Sequence, residues 1–193
     1  MYKLCKTEQS AKRQREIENV LLELMLKKHY DEISVSEICD AADMPRKSFY
    51  RYFDGKEGVK QSLLHHAMTD FSAFQDSRRT KKARTLHEEF EDFFTFWKSK
   101  KELLDAFEKS GLIGLLIESA TFYAMEEFSG IERYMSDSTV REKEMTYHFA
   151  ISGMLAMIIN WYRSGFVETV PNIARTTTRI ITRPIFENLT RKD

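Results

Sequence analysis

The sequence predicts an all-α protein. Among 193 residues there are only Gly 7 and Pro 3, too few turn-formers for an all-β chain. Apolar residues recur at helical spacing rather than in strict alternation. Ser/Thr-x-x-Glu capping boxes stand in front of several of these periodic stretches. The length suits one large domain or two smaller ones, and such a chain buries roughly 70% of its unfolded surface. A composition of 42% hydrophobic and 31% charged residues is that of a globular chain, not a disordered one.

The first helix is predicted over residues 8–28, with Ile17, Val20, Leu21, Leu24 and Met25 on one stripe. Tyr30-Asp31-Glu32-Ile33 is a polar break. Ser34-Val35-Ser36-Glu37 is a capping box that opens a second helix, ending by about Ala42. Asp43-Met44 is a turn, and Pro45, favoured in a first turn, opens a third helix that ends near Phe53. Asp54-Gly55-Lys56-Glu57 opens a fourth, to about residue 75. Residues 76–84 form the clearest break. Their basic run of Arg78, Arg79, Lys81, Lys82 and Arg84 lacks apolar periodicity and reads as a solvated loop. Thr85-Leu86-His87-Glu88 is a box for a fifth helix, to about 98. A sixth covers 101–110 and stops at Gly111. A seventh covers 112–128 and an eighth 138–164, stopped by Gly165. The ninth covers 170–189, with Pro171 in its first turn and a late kink at Pro184.

The formal net charge is +0, but the average hides two basic patches. Residues 1–15 hold Lys3, Lys6, Lys12, Arg13 and Arg15 against Glu8 alone. Residues 45–53 hold Arg46, Lys47 and Arg51 with no acid. Such patches on a neutral chain suit a small DNA-reading surface. Residues 34–56 have the spacing of a helix-turn-helix: two short helices, a tight turn and a third helix start. Val35, Ile38, Ala42, Phe49 and Phe53 can face the first helix together. That leaves Arg46, Lys47, Tyr50 and Arg51 on the other face. Arginine can pair with guanine O6 and N7, and lysine with phosphate or guanine. A tyrosine hydroxyl, or Lys56 at the next helix start, can reach phosphate.

The strings Ile33-Ser34-Val35-Ser36-Glu37-Ile38 and Ser48-Phe49-Tyr50-Arg51-Tyr52-Phe53-Asp54-Gly55-Lys56-Glu57 resemble the DNA-binding domain of TetR/AcrR-type regulators. The resemblance runs over about residues 8–60. Trp161-Tyr162-Arg163-Ser164-Gly165-Phe166, with Glu168-Thr169, resembles the last helix junction of a subgroup that includes regulators of dihydroxyacetone kinase operons. The resemblance implies a homodimer whose recognition helices enter successive major grooves of a near-palindromic operator. It also implies DNA contacts at Ser34, Ser36, Arg46, Lys47, Tyr50, Tyr52 and Lys56, which Arg51 joins. Three positions depart from the family pattern. Asp43 replaces the usual turn Gly, at some cost in the left-handed conformation. Lys47 replaces a small residue, and Pro45 a Ser or Thr. These departures bear on which operator is read, not on the fold.

Aromatic residues crowd positions 71–134, Phe128 and Tyr134 included. The resemblance implies an effector pocket among helices four to seven, with Phe71, Phe74, Phe90, Phe93, Phe94, Trp97, Phe107, Glu118, Phe122 and Tyr123 as candidate lining. Aromatic walls suit a small apolar or aromatic molecule. For any single ring, core filling is the simpler reading. The eighth helix is apolar nearly all round between 149 and 162, so it must be covered on all sides. With the stripe on the ninth helix it suggests a dimer interface of two helices from each chain. Its candidate residues are Ser152, Gly153, Ala156, Ile159, Ile173, Thr177, Ile180 and Ile181.

Chemistry-bearing motifs are few. Two cysteines, Cys5 and Cys39, exclude a disulfide framework, and Cys39 inside the second helix reads as a small buried group. Gly55 and Gly58 match no phosphate loop. His65 and His66 are neighbours, about 100° apart on a helix, and share no ligand face. No metal site, cofactor or catalytic nucleophile is expected. The apolar run 149–162 is shorter than the ~20 residues of a membrane span, and a cytoplasmic protein without membrane contact is expected. The expected organisation is therefore an N-terminal three-helix helix-turn-helix domain over 1–56, then a helical effector-binding and dimerisation domain over 57–193. The expected function is a repressor released by a small effector. The alternatives are an activator or protein-contact coregulator on the same fold, and a helical small-molecule binding protein without DNA function.

Overall fold

The computed structural model describes residues 2–3, 7–78, 84–127 and 139–183. Among them run nine α-helices: α1 Glu8–Lys27, α2 Val35–Ala41, α3 Arg46–Phe49, α4 Lys56–Arg78, α5 Leu86–Ser99, α6 Lys101–Lys109, α7 Leu115–Glu127, α8 Val140–Arg163 and α9 Val170–Thr182. A 3-10 turn, Tyr30–Glu32, follows α1. The chain is all-α. Among the described residues the β-type pairing is one isolated bridge, Tyr2 to Phe53.

Side-chain caps set four of the helix starts. Thr7 caps α1, and Ser34 and Thr85 make complete capping boxes for α2 and α5. Thr139 and Glu142 form a third box before α8; the expected start at Ser138 lies outside the described residues. So do Lys6, Arg79, Lys81, Lys82, Phe128, Tyr134 and the kink at Pro184. Two helices are shorter than their spacing predicts. α7 starts late because Gly111 (φ 66°) closes α6 in the left-handed conformation, and residues 112–117 then bond at 3-10 spacing before settling. α3 is regular for four residues only, because its tail is held from outside, as described below.

The chain forms two compact units. The first joins residues 1–70 to 102–156, the second 71–101 to 157–193. The Tyr30 N–H donates to Ser110 Oγ at 3.0 Å, and Lys109 Nζ donates to the Leu26 carbonyl at 2.8 Å. These bonds tie the end of α1 and the 3-10 turn to the end of α6. Ile17, Leu21, Met25, Ile38, Phe49, Phe53, Leu104, Phe107 and Leu116 belong to the buried core of this unit.

The second unit pairs α5 with α9. Phe93 and Phe94 meet edge to face at 5.3 Å between centroids, and Phe94 meets Trp161 at 5.6 Å. Asp92 is buried and draws in two arginines, Arg78 Nε at 3.0 Å and Arg84 Nη2 at 2.6 Å. Arg78 and Arg84 are thus anchored by a buried carboxylate, which corrects the solvated-loop reading for both: a buried charge must be paired. α8 ends on Gly165 and Phe166, both left-handed, with Phe166 N–H bonding back to the Trp161 carbonyl at 2.9 Å. The Trp161 indole N–H donates to the Glu168 carbonyl at 3.0 Å.

The turn between α2 and α3 places Asp43 at φ 45°. Arg13 steadies it, donating to the carbonyls of Ala42 at 2.8 Å and Asp43 at 3.3 Å. A side chain in this backbone region costs energy that glycine avoids. Asp43→Gly is therefore expected to raise the unfolding free energy by about 0.5 kcal/mol, net of the added chain entropy. Urea denaturation checks this; a lower midpoint would contradict it.

Candidate nucleic-acid interface

The second helix of the motif is held by its cap. Ser34 Oγ accepts from the Glu37 N–H at 3.2 Å, and Glu37 Oε2 accepts from the Ser34 N–H at 2.9 Å. Lys28 Nζ also bonds Glu37. Lys28 first, then Ser34, hold the Glu37 carboxyl down to about 2. The Ser34 hydroxyl donates to the same carboxylate, so it is committed to the cap. A DNA contact from Ser34, as the sequence leads one to expect, would redirect this hydroxyl proton from the cap.

α3 presents two faces. Phe49 and Phe53 are fully buried, as are Ile38 and Cys39 of α2, and Ala42 is nearly so. Burial pushes the Cys39 thiol up, as expected of a packing group. On the other side Arg46, Lys47 and Arg51 are exposed and Tyr50 is 44% exposed. No carboxylate among the described residues pairs with Arg46, Lys47 or Arg51. Three unpaired cations around an exposed tyrosine make a face ready for an anionic, hydrogen-bonding partner. Ser36 and Tyr52 are half-buried beside it.

An N-terminal arm closes the end of α3. The Lys3 N–H donates to the Tyr52 carbonyl at 3.0 Å, and Lys3 Nζ to the Tyr50 carbonyl at 2.8 Å. These bonds satisfy carbonyls that a helix end leaves free, and the helix tightens into 3-10 turns over 50–52. The arm is itself anchored: the Tyr2 hydroxyl bonds His65 Nδ1 at 2.7 Å. The Tyr123 hydroxyl on α7 bonds the same imidazole. A line of contacts thus runs from α3 through Lys3, Tyr2 and His65 to α7. The adjacent His66 turns elsewhere, to the buried Glu18 at 2.8 Å, which also accepts from Ser62 Oγ at 2.6 Å. This trio ties α1 to α4. None of these partnerships was legible beforehand, because each joins residues 44 or more positions apart.

Burial, then the neighbouring His66, pushes the His65 pKa down. The folded chain then binds fewer protons there than the unfolded chain. The stability from this group is complete above the unfolded value, roughly 6.5, and is lost as pH falls through the folded value. The urea midpoint is expected to drop between pH 7.5 and 5.5 by more in the unaltered chain than in His65→Gln. Equal drops would contradict the assignment.

Lys56 is engaged within the chain. Its Nζ donates to the carbonyls of Tyr30 at 3.0 Å, Asp31 at 3.2 Å and Ile33 at 3.0 Å. It also stands 4.6 Å from the centre of the Tyr30 ring. An ammonium has three donors, and all three are spent. Lys56, expected from sequence at a phosphate, here clamps the end of the 3-10 turn ahead of α2. The Tyr30 hydroxyl donates to Glu57 at 2.5 Å, and burial first, then Glu57, pushes that hydroxyl up.

The candidate effector residues fall into both units. In the second, Phe90, Phe93, Phe94 and Trp97 are buried, and Phe71 and Phe74 are half-buried against the ring of Phe96 at 5.2 and 5.6 Å. In the first, Phe107 is fully buried, Phe122 is 66% exposed, Glu118 is exposed and Tyr123 is half-buried. Phe93, Phe94 and Trp97 pack ring against ring, so they serve the core whatever else they line. Among the candidate interface residues, Gly153, Ala156, Ile180 and Ile181 are exposed and Ser152 is half-buried. Ile159, Ile173 and Thr177 are buried within the chain. They are corrected to internal packing, because a surface must be accessible to meet a partner.

Among the described residues no helix is long and apolar enough to cross a membrane. No curated protein sequence matches the chain. The family model of bacterial regulatory proteins, tetR family, matches residues 19–63. Three solved structures show the same fold. The fatty acid degradation regulator FadR from Bacillus halodurans is 15% identical, with a TM-score of 0.61 over 92% of this chain and 96% of its own. The dihydroxyacetone kinase operon activator DhaS is 14% identical, with a TM-score of 0.57 over 88% and 94%. The TetR family repressor AlkX from Dietzia sp., implicated in biodegradation of n-alkanes, is 20% identical, with a TM-score of 0.53 over 86% and 92%. Residues 19–63 thus carry the helix-turn-helix segment of the tetR family model, and the chain as a whole shares the all-helical fold of these regulators.

Proposed function

We propose that the chain is a homodimeric DNA-binding transcriptional regulator, in which residues 1–56 read DNA and 57–193 dimerise and bind an effector. The observation that carries this reading is the acid-free outer face of α3, where Arg46, Lys47, Tyr50 and Arg51 are exposed. Phe49 and Phe53 fix that face by being fully buried. Base edges are read by Arg46 and Lys47, and phosphates are met by Tyr50 and Arg51. Dimerisation is supported by exposed apolar residues on α8 and on α9. On α8 Phe149 is 72% exposed, with Gly153 and Ala156 open beside it, and on α9 Ile180 and Ile181 are 40% and 47% exposed. Exposed apolar patches of this kind mark interfaces. A two-fold dimer then matches a near-palindromic operator.

The proposed mode is repression relieved by a small apolar or aromatic effector. The names of FadR and AlkX point to fatty acid and alkane metabolism, which suits that chemistry. The effector favours the dimer state whose recognition helices no longer fit the operator. A ~100-fold weakening needs about 2.7 kcal/mol of coupling. A second reading, activation, is favoured by the likeness to DhaS, an operon activator. Selecting bound fragments of the source genome at moderate salt tests the proposal. An enriched near-palindrome is expected. Binding that is sequence-blind and lost with salt is phosphate attraction alone, and would overturn it.

A further inference from the structure

A groove of about 400 Å³ opens between α5 and α9 within the second unit, lined by His87, Arg175, Thr178, Arg179, Thr182 and Arg183. We propose that it is a binding site for a multiply charged oxyanion, such as the phosphoryl group of a small phosphate ester.

The lining is cationic and hydroxylic, with no carboxylate in it. Arg175 and Arg179 lie one turn apart on one side of α9, and Arg183, the extended residue that follows the helix, lines the same groove. α9 carries no acidic residue to offset them. Like charges at this spacing destabilise an isolated helix, and their nearness to the helix C-terminus offsets only part of that. The acids of α5 all have partners, and only Glu91 pairs with a residue of the groove. Glu88 closes the capping box, Glu89 pairs with Arg84, Asp92 with Arg78 and Arg84, and Glu91 with His87 at 3.5 Å. Arg175 bonds Asn172. Arg179 and Arg183 have no partner among the described residues. Two guanidinium forks without a partner among the described residues, beside a third, match the oxygens of phosphate or carboxylate, which arginine binds through paired N–H groups. The hydroxyls of Thr178 and Thr182 now donate to carbonyls one turn back and can rotate toward an anion. The volume fits a small metabolite rather than a lone ion.

The test uses the full chain, with pyrophosphate, inorganic phosphate and citrate as probes against chloride of matched ionic strength, read by calorimetry and thermal melting. Pyrophosphate is expected to bind, to raise the melting temperature, and to lose about tenfold or more in affinity in Arg179→Ala/Arg183→Ala. Tighter citrate binding lost in the same variant would support the site and assign it to carboxylates. Arg179→Lys/Arg183→Lys keeps the charge and removes the fork; weakened binding with an unchanged unliganded melt separates recognition from folding. Binding equal in all groove variants would overturn the proposal. So would loss in Arg46→Ala/Lys47→Ala alone, or no effect beyond matched chloride.

Discussion

Arg46→Ala/Lys47→Ala is expected to weaken operator binding by about 100-fold or more, roughly 2.7 kcal/mol, while leaving the urea midpoint unchanged. Both side chains are exposed and neither pairs with a carboxylate among the described residues, so the fold gives up little when they go. The two losses differ in kind. Removing a base contact relaxes sequence preference at one position. Removing a phosphate contact weakens every sequence alike and lowers the slope of log affinity against log salt by about 1. Titrations at several salt concentrations, with Arg46→Ala and Lys47→Ala also made singly, sort the two residues between these roles. Unchanged affinity in the double variant would remove this face from the interface.

Lys56→Met is expected to behave oppositely, costing about 2–3 kcal/mol of stability. The ammonium gathers the carbonyls of Tyr30, Asp31 and Ile33, which end the 3-10 turn immediately before the cap of α2. Bonds from a charged donor are worth about 1.5–3 kcal/mol each, though three on one group do not add. Solvent recovers part of the loss because the site is only half-buried. Any loss of DNA binding in this variant follows from misplaced α2 and α3, and so is restored at temperatures where the variant is fully folded. A Lys56→Met chain of normal stability that no longer binds DNA would instead return Lys56 to the phosphate contacts.

Much of the fold was legible because it rests on local chemistry. A serine or threonine followed three residues later by glutamate announces a helix start whatever surrounds it, as at Ser34 and Thr85. The direction of Phe49 and Phe53 followed from their one-turn spacing, and with it the outward direction of Arg46, Lys47 and Tyr50. What stayed hidden depends on distant partners. Lys56 looked like a phosphate contact because its own neighbourhood says nothing of carbonyls 23 to 26 residues earlier. The short α3 reflects an arm from residues 2–3, outside any local window. Ile173 and Thr177 shared a stripe with Ile180 and Ile181. That stripe is wider than one contact face, so its first part is buried against the chain while Ile180 and Ile181 are exposed. Aromatic richness did not distinguish a pocket from a core, since both use the same residues.

The most direct test of the central claim is a hydroxyl-radical footprint of the purified chain on a selected genomic fragment. The account predicts two protected clusters related by two-fold symmetry, with centres about 34–36 Å apart along the duplex or a multiple of this, and loss of both in Arg46→Ala/Lys47→Ala. Uniform protection, or one cluster that survives the double substitution, would contradict it.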